Sequence, residues 1–297
     1  MAHGPAGAVS AGAATAVVAA EVSGWTARPE VLVPLALGAS LYAVGWWRLS
    51  RRAPGHGHPA RALLALVAWV SIVLALLSPL DRLAHALFVA HMTQHMLLIV
   101  VAAPALLLAD PFPAVIWGLP RVARRGVRRW FRRVTPLGRL WRALTSLPLA
   151  WLGYALILGL WHLPTPYDAA LGDRFLHDVE HACFFLGAVL FWWPVIDPAP
   201  HFRPAAPHAR RIVYLVLAAF QTAALGLLFT LTPRVLYPSY ASAPRLTGLS
   251  AADDQVWGGV VMWGVGGVAD MLAVLILLHR YFGLEERTAR PEVNRAA

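Results

Sequence analysis

HMTQHMLLIV, residues 91–100, opens an apolar run that extends from about 86 to 108. A run of that length crosses a hydrocarbon core about 30 Å thick when it is helical. Two histidines one helical turn apart, His91 and His95, stand at its head, and Met92 and Met96 repeat the spacing one position on. Ionisable groups at membrane depth are costly, so a lipid-type segment that carries them marks them as candidates for function.

Six further apolar runs flank this one, at about 31–49, 62–80, 149–163, 178–196, 212–232 and 256–279, of which 149–163 is the shortest. Hydrophobic residues make up 59% of the chain and charged residues only 13%, with 13 tryptophans. A soluble domain carries about a quarter charged residues. Only helices or closed barrels satisfy the backbone in lipid. The expected fold is therefore all-α, a polytopic membrane helical bundle of seven transmembrane helices. It forms a single integral membrane domain over 1–297, with an external segment 1–30, a bundle 31–279 and a tail 280–297. The Ala/Gly-rich stretch at 4–22 is a weaker apolar candidate without the basic leader region of a signal peptide. No internal repeat is visible.

The single cysteine, Cys183, excludes an intrachain disulfide and a Cys-x-x-Cys metal motif. The net charge of +10 comes from 25 basic residues, all arginine, gathered between the apolar runs. That pattern encodes orientation and contact with anionic lipids rather than nucleic-acid binding. Arg48, Arg51, Arg52 and Arg61 follow the first run, nine arginines from Arg121 to Arg142 follow the third, and Arg203, Arg210 and Arg211 follow the fifth. Arg280, Arg287, Arg290 and Arg295 follow the seventh. The rule that positive loops face the cytoplasm puts the N-terminus outside and the C-terminus inside. Within the longest loop, RVARRGVRRWFRRV (121–134) separates arginines from Val127, Trp130, Phe131 and Val134 on opposite helical faces. It reads as a helix lying in the plane of an anionic inner leaflet. Trp46, Trp47, Trp192 and Trp193 fit an inner aromatic belt.

This orientation sorts the histidines. His85, His91 and His95 fall in the outer half of the third helix, His162 ends the fourth, and His177 and His181 begin the fifth. Acidic residues, Asp81, Asp178, Glu180 and Asp254 among them, border the same level. Residues four apart on a helix have Cβ atoms roughly 5–6 Å apart, so His91 and His95 can share one metal ion. His85, Met92 and Met96 form an adjoining stripe whose thioethers suit Cu(I). HDVEHACFF (177–185) repeats the spacing with His177, His181 and Glu180. As H-x-x-E-H it also matches the inverted zinc-protease motif, for which neither a third ligand nor a substrate cleft is evident. Each histidine taken alone reads as a hydrogen-bonded packing residue and each methionine as core filler; six histidines at one level favour a metal site. Cys183 points elsewhere and reads as a small buried hydrophobe. DDQVWGGVVMW (253–263) places Gln255, Gly259 and Met262 near one face. There Asp254 and Gln255, like Glu180 beside its own histidines, read as partners that orient a ligand histidine, with an exposed helix cap as the alternative for Asp254. Asp270 lies deep in the inner half, with no partner identifiable from sequence.

Taken together, HMTQHMLL followed by APALLLADP, then HDVEHACFFLGAVLFWWPV, then DDQVWGGVVMW resemble the bacterial membrane family of cytochrome c oxidase assembly factors typified by CtaG of caa-type oxidases. The likeness spans the third to seventh helices, about two-thirds of the chain. The resemblance implies a protein of the bacterial plasma membrane that helps mature a haem–copper oxidase by handling copper. Its implied partners are the oxidase subunits and an external copper donor. His91, His95, His177 and His181 carry over as ligand positions, and no redox turnover is implied, so the chain reads as a metal-handling protein rather than an enzyme. Two other readings stay open at this point. A membrane cytochrome b would use His95 and His181 as axial haem ligands. A transporter would place Asp270 and Gln221 in its path, against which stands the lack of repeats and broken helices.

Overall fold

The computed structural model describes residues 24–53, 57–130, 135–201 and 203–296. The stretch at 4–22, His56 and the end of the amphipathic segment at 131–134 lie outside the described residues. Among the described residues there are helices and no strands. Seven long helices carry the fold: α1 (Pro29–Ser50), α2 (Pro59–Leu77), α3 (Phe88–Leu108), α4 (Leu147–Trp161), α5 (Arg174–Ile196), α6 (His208–Leu231) and α7 (Ala251–Ala296). All but α4 are long and apolar enough to cross a membrane alone; α4 qualifies together with Pro136–Leu144, to which it is bent by 73°. The all-α polytopic architecture is as expected, with the short fourth run explained by that bend. Large apolar side chains stand exposed along the bundle, Leu37, Leu63, Phe220 and Leu275 among them, as a lipid-facing surface requires.

Proline and polar caps set the helix starts. Pro29 and Pro59 occupy first-turn positions, where the missing N–H costs nothing. The side chain of Asp173 accepts from Leu176 N at 2.8 Å to cap α5. α3 has no cap of its own and takes one from α7: Asp254 accepts from Phe88 N at 2.7 Å and Val89 N at 3.0 Å. α7 packs along α6 and against the first half of α3.

The middle of α3 is not regular. Residues Leu97–Ala102 form a π turn, in which Ala103 N–H reaches back five residues to Leu98 O. The next carbonyl, Ile99 O, would be in register with Pro104, which has no N–H. Trp192 of α5 supplies the missing donor, with Nε1 3.0 Å from Ile99 O. Trp192 and Trp193 are therefore core residues, not members of an inner aromatic belt; the need to satisfy a buried carbonyl outweighs the interfacial preference of tryptophan. Trp47 does stand exposed.

Close helix contact explains two glycines at the other end of the bundle. A Cβ on Gly45 of α1 would lie 1.7 Å from Ala114 O, and one on Gly118 2.1 Å from Leu41 O, so α1 and the short helix Pro111–Gly118 meet backbone to backbone. The arginine-rich loop continues into a helix, Arg121–Trp130, with Val122 and Trp130 exposed. α7 does not end near residue 279, as its apolar run suggests, but continues as one helix through the charged segment to Ala296.

Candidate metal centre

α3 and α5 lie side by side so that their two i, i+4 histidine pairs face each other. The ring centroids of His91 and His95 are 4.4 Å apart, those of His177 and His181 4.3 Å, and those of His95 and His181 5.3 Å. Glu180 joins them from α5, with carboxylate oxygens 3.5 Å from His91 Nε2 and 3.8 Å from His95 Nε2, too long for hydrogen bonds. Two groups have ligand atoms all within 4.8 Å of one another: His91, His95 and His181, and His91, His177 and Glu180. His91 belongs to both. All five side chains are at most 2% exposed.

The hydrogen-bond inventory of the cluster is unusual. Nine buried atoms have no protein partner: Nε2 of His91, His162 and His177, both ring nitrogens of His95 and His181, and both oxygens of Glu180. Each unsatisfied buried polar atom costs about 1–3 kcal/mol, and a native structure normally holds only a few per 100 residues. A neutral imidazole carries one N–H and one lone pair on nitrogens that point apart, so each ring can turn one nitrogen to a shared ion, and His91, His95 and His181, or His91, His177 and Glu180, bring such atoms within 4.8 Å of one another.

The neighbours leave those lone pairs free. Tyr240 donates its only hydroxyl hydrogen to Ala84 O at 2.7 Å, so its oxygen can only accept from His91, whose Nδ1 is 3.0 Å away. Tyr167 OH lies 2.8 Å from the same nitrogen and 3.2 Å from Tyr240 OH. Burial holds both phenols protonated, well above the ordinary tyrosine range. With Tyr167 donating to Tyr240, His91 carries its proton on Nδ1 and turns the Nε2 lone pair toward Glu180, the tautomer in which it can bind a metal there. His162 behaves likewise, its Nδ1 2.8 Å from Leu158 O and its ring 6.0 Å from that of His95. Sequence reading did not find Tyr167 and Tyr240. They come from PTPYD and YPSY, in the short helices Pro164–Gly172 and Pro238–Ser242, whose sequences carry no apolar periodicity.

Other sequence candidates occupy different places. His85 is not part of α3 but sits in the exposed turn before it, its Nδ1 3.0 Å from Asp81 O, because the helix begins only where Asp254 caps it. Its ring is 5.0 Å from that of His177, so it stands at the mouth of the cluster. The stripe of His85, Met92 and Met96 is thus broken at its first member. Met92 and Met96 belong to the apolar core on the α7 side of α3: a Cβ on Gly258 would come within 3.3 Å of Met92 Cγ, and Met96 lines a small cavity with Asp270. That cavity has room for about one water, at about 10 Å³. Cys183 is partly buried against the core.

Asp254 is neither an exposed cap nor a direct partner of a histidine. It is fully buried and caps the helix that carries His91 and His95. Gln255 accepts from Leu236 N at 2.7 Å and donates to Arg234 O at 3.1 Å, which holds the loop before Tyr237 and Tyr240. A further buried network closes the same end: Arg28 pairs with Asp178 and with Asp81 (3.6 Å), and Gln94 of α3 donates to Asp81 at 3.2 Å. Burial pushes the Asp81 carboxyl above its usual range, with Arg28 pulling against it.

Replacing Asp254 by Ala should leave two buried N–H groups without an acceptor, and thermal unfolding in detergent should show a loss of about 1–2 kcal/mol. Metal retention should fall less than on removal of any cluster histidine, and Asp254→Asn, whose single amide oxygen replaces only one of the two acceptors, should recover only part of the stability. A larger metal loss than in His177→Ala would put Asp254 itself on the metal.

Two alternative readings meet the geometry differently. The histidines of the H-x-x-E-H segment do gain further ligands from α3, but the set is buried, and the cleft that His181 reaches is lined mainly by apolar side chains such as Leu35, Trp69 and Phe185. The rings of His95 and His181 approach too closely to hold a macrocycle between them.

The sequence model of a cytochrome c oxidase caa3 assembly factor family matches residues 40–283. An uncharacterised protein of Mycobacterium leprae is 25% identical over 267 residues, covering 86% of this chain and 39% of its own length. Uncharacterised proteins of Mycobacterium bovis and Mycobacterium tuberculosis are each 26% identical over 281 residues, 89% of this chain and 40% of theirs. The chain thus spans about 40% of the length of the curated relatives it matches. No solved structure matches.

Proposed function

This chain belongs to the cytochrome c oxidase caa3 assembly factor family, and from that premise we propose that it binds copper in its buried imidazole cluster and passes it to a haem–copper oxidase. The observation that carries the reading is the pair of buried groups, His91, His95 and His181, and His91, His177 and Glu180, each with its ligand atoms within 4.8 Å of one another and most of them without a protein hydrogen-bond partner. Imidazole with one carboxylate suits copper among the first-row metals. A buried carboxylate such as Glu180 calls for a cation nearby. Met92 and Met96, whose thioethers the sequence suggests for Cu(I), sit in the apolar core on the α7 side of α3, so alanine at either should lower copper affinity less than alanine at a cluster histidine.

The histidines are graded from the surface inward. His85 is exposed, its ring 5.0 Å from His177; His177 is 5.1 Å from His91; His95 lies beyond, 6.0 Å from His162. Such a ladder suits exchange from ligand to ligand with an external donor protein and with oxidase subunits. It requires no catalysis by this chain. The arginine distribution supports a histidine end outside the plasma membrane and an arginine-rich loop on the anionic lipids of the inner leaflet.

Orientation is tested by cysteine labelling in intact cells after Cys183→Ser. Ser242→Cys should react with an impermeant maleimide from outside and Thr135→Cys should not. The opposite pattern would turn the histidine end to the cytoplasm and remove the external donor from the scheme.

A further inference from the structure

Five arginines converge at the end of the bundle away from the histidines. Arg48, Arg51 and Arg52 come from the end of α1, and Arg121 and Arg124 from the start of the helix Arg121–Trp130. They line a cleft of about 450 Å³ that contains no carboxylate among its described lining residues. Bringing so many like charges together raises their mutual repulsion, which an anion seated among them would relieve.

The guanidinium groups are held in place before any ligand arrives. Arg48 donates to Trp117 O at 3.2 Å and Gly118 O at 3.3 Å, and Arg124 donates to Trp117 O and Leu119 O, both at 3.3 Å. These are the last carbonyls of the helix Pro111–Gly118 and the residue after it, which lack partners within that helix. Arg124 and Arg52 stack on the Trp117 ring at 4.3 and 5.3 Å, and Arg51 on Trp47 at 3.9 Å. Stacked, planar guanidinium forks are suited to phosphate oxygens.

An apolar track leads away from the cleft along α1. Leu37, Val44 and Arg51 follow one another at seven-residue intervals on one face, and Leu37 and Val44 are exposed. Trp47, also exposed, stands beside Arg51 at the end of the span. A cationic cleft at the end of an apolar strip matches a molecule with a phosphate head and a long apolar tail. We propose that the cleft is a binding site for the phosphodiester headgroup of an anionic lipid, whose acyl chain lies along the Leu37–Val44 face of α1. The site is separate from the histidine cluster and does not depend on the copper reading.

The test uses the full chain purified in detergent, with short-chain phosphatidylglycerol and inorganic phosphate as separate probes. Binding is read by native mass spectrometry and by the shift in thermal unfolding. Arg51→Gln/Arg52→Gln should weaken phosphatidylglycerol binding by about thirtyfold. Arg125→Gln/Arg129→Gln, which removes two exposed arginines of the same helical loop outside the cleft, should change it by less than about threefold. Arg51→Lys/Arg52→Lys keeps the charge but loses the planar fork; it should fall between the two and serves in place of the glutamine variant if that one does not fold. Equal weakening in the cleft and control variants would reduce the cleft to diffuse surface charge and overturn the proposal. No weakening in the cleft variants would do the same. Inorganic phosphate binding as tightly as the lipid would also overturn it, because the apolar track would then contribute nothing.

Discussion

His91→Ala is expected to lower copper affinity by about a hundredfold or more, the largest effect of any single substitution in the chain. His91 is the one residue common to both groups of converging ligand atoms. Its other nitrogen is held by Tyr167 and Tyr240, and even such outer partners of a metal-binding histidine are worth about ten- to a hundredfold in affinity. His95→Ala and His177→Ala each remove a member of one group and should cost less. His162→Ala and the surface variant His201→Ala should cost least. Affinity is measured by competition against a chelator, with tryptophan emission as the check on folding. A His91→Ala/His95→Ala double variant that retains copper at full affinity would sink the ligand assignment.

The second large effect is expected in cells. A deletion strain should still synthesise and insert oxidase subunits, yet its haem–copper oxidase should be inactive and deficient in copper. Histidine-lined sites in the oxidase compete for a scarce ion with every other imidazole and thiolate in reach. Surplus copper in the medium should restore part of the activity, since mass action substitutes for delivery. Normal copper occupancy with missing haem would favour a haem role. Full activity at limiting copper, in a strain without a second homologue, would remove assembly from the account.

The helical bundle was legible in the sequence because each span is an apolar run, and the one irregular case, 149–163, was visibly short. The gathering of six histidines was legible for a related reason: the i, i+4 spacing puts each pair on one helical face. What the sequence concealed depends on contacts between distant segments. His85 lies seven residues before Met92 and so extrapolates onto the same helix, but Asp254, 166 residues from Phe88, decides where that helix starts. The deep role of Trp192 follows from a carbonyl left open by the π turn and Pro104, a defect that hydropathy does not register. Tyr167 and Tyr240 reach His91 from connecting segments whose path is set by Gln255 and by the packing of Tyr167 on Tyr237, with ring centroids 3.9 Å apart. Glu180 stands beside its histidines in sequence and reads there as a partner of ligands; its position within 4.8 Å of the ligand atoms of His91 and His177 makes it a ligand candidate in its own right.

The central claim is that the buried cluster is a metal-binding centre, and X-ray absorption at the copper edge tests it most directly. The full chain, loaded with one equivalent of copper in detergent and washed, should show a first shell containing at least three nitrogen or oxygen donors, as each converging group supplies. The outer-shell pattern should be that of imidazole and should vanish in His91→Ala/His181→Ala. Copper that washes out of the wild-type chain, or that stays bound with the same spectrum in the double variant, would contradict the account.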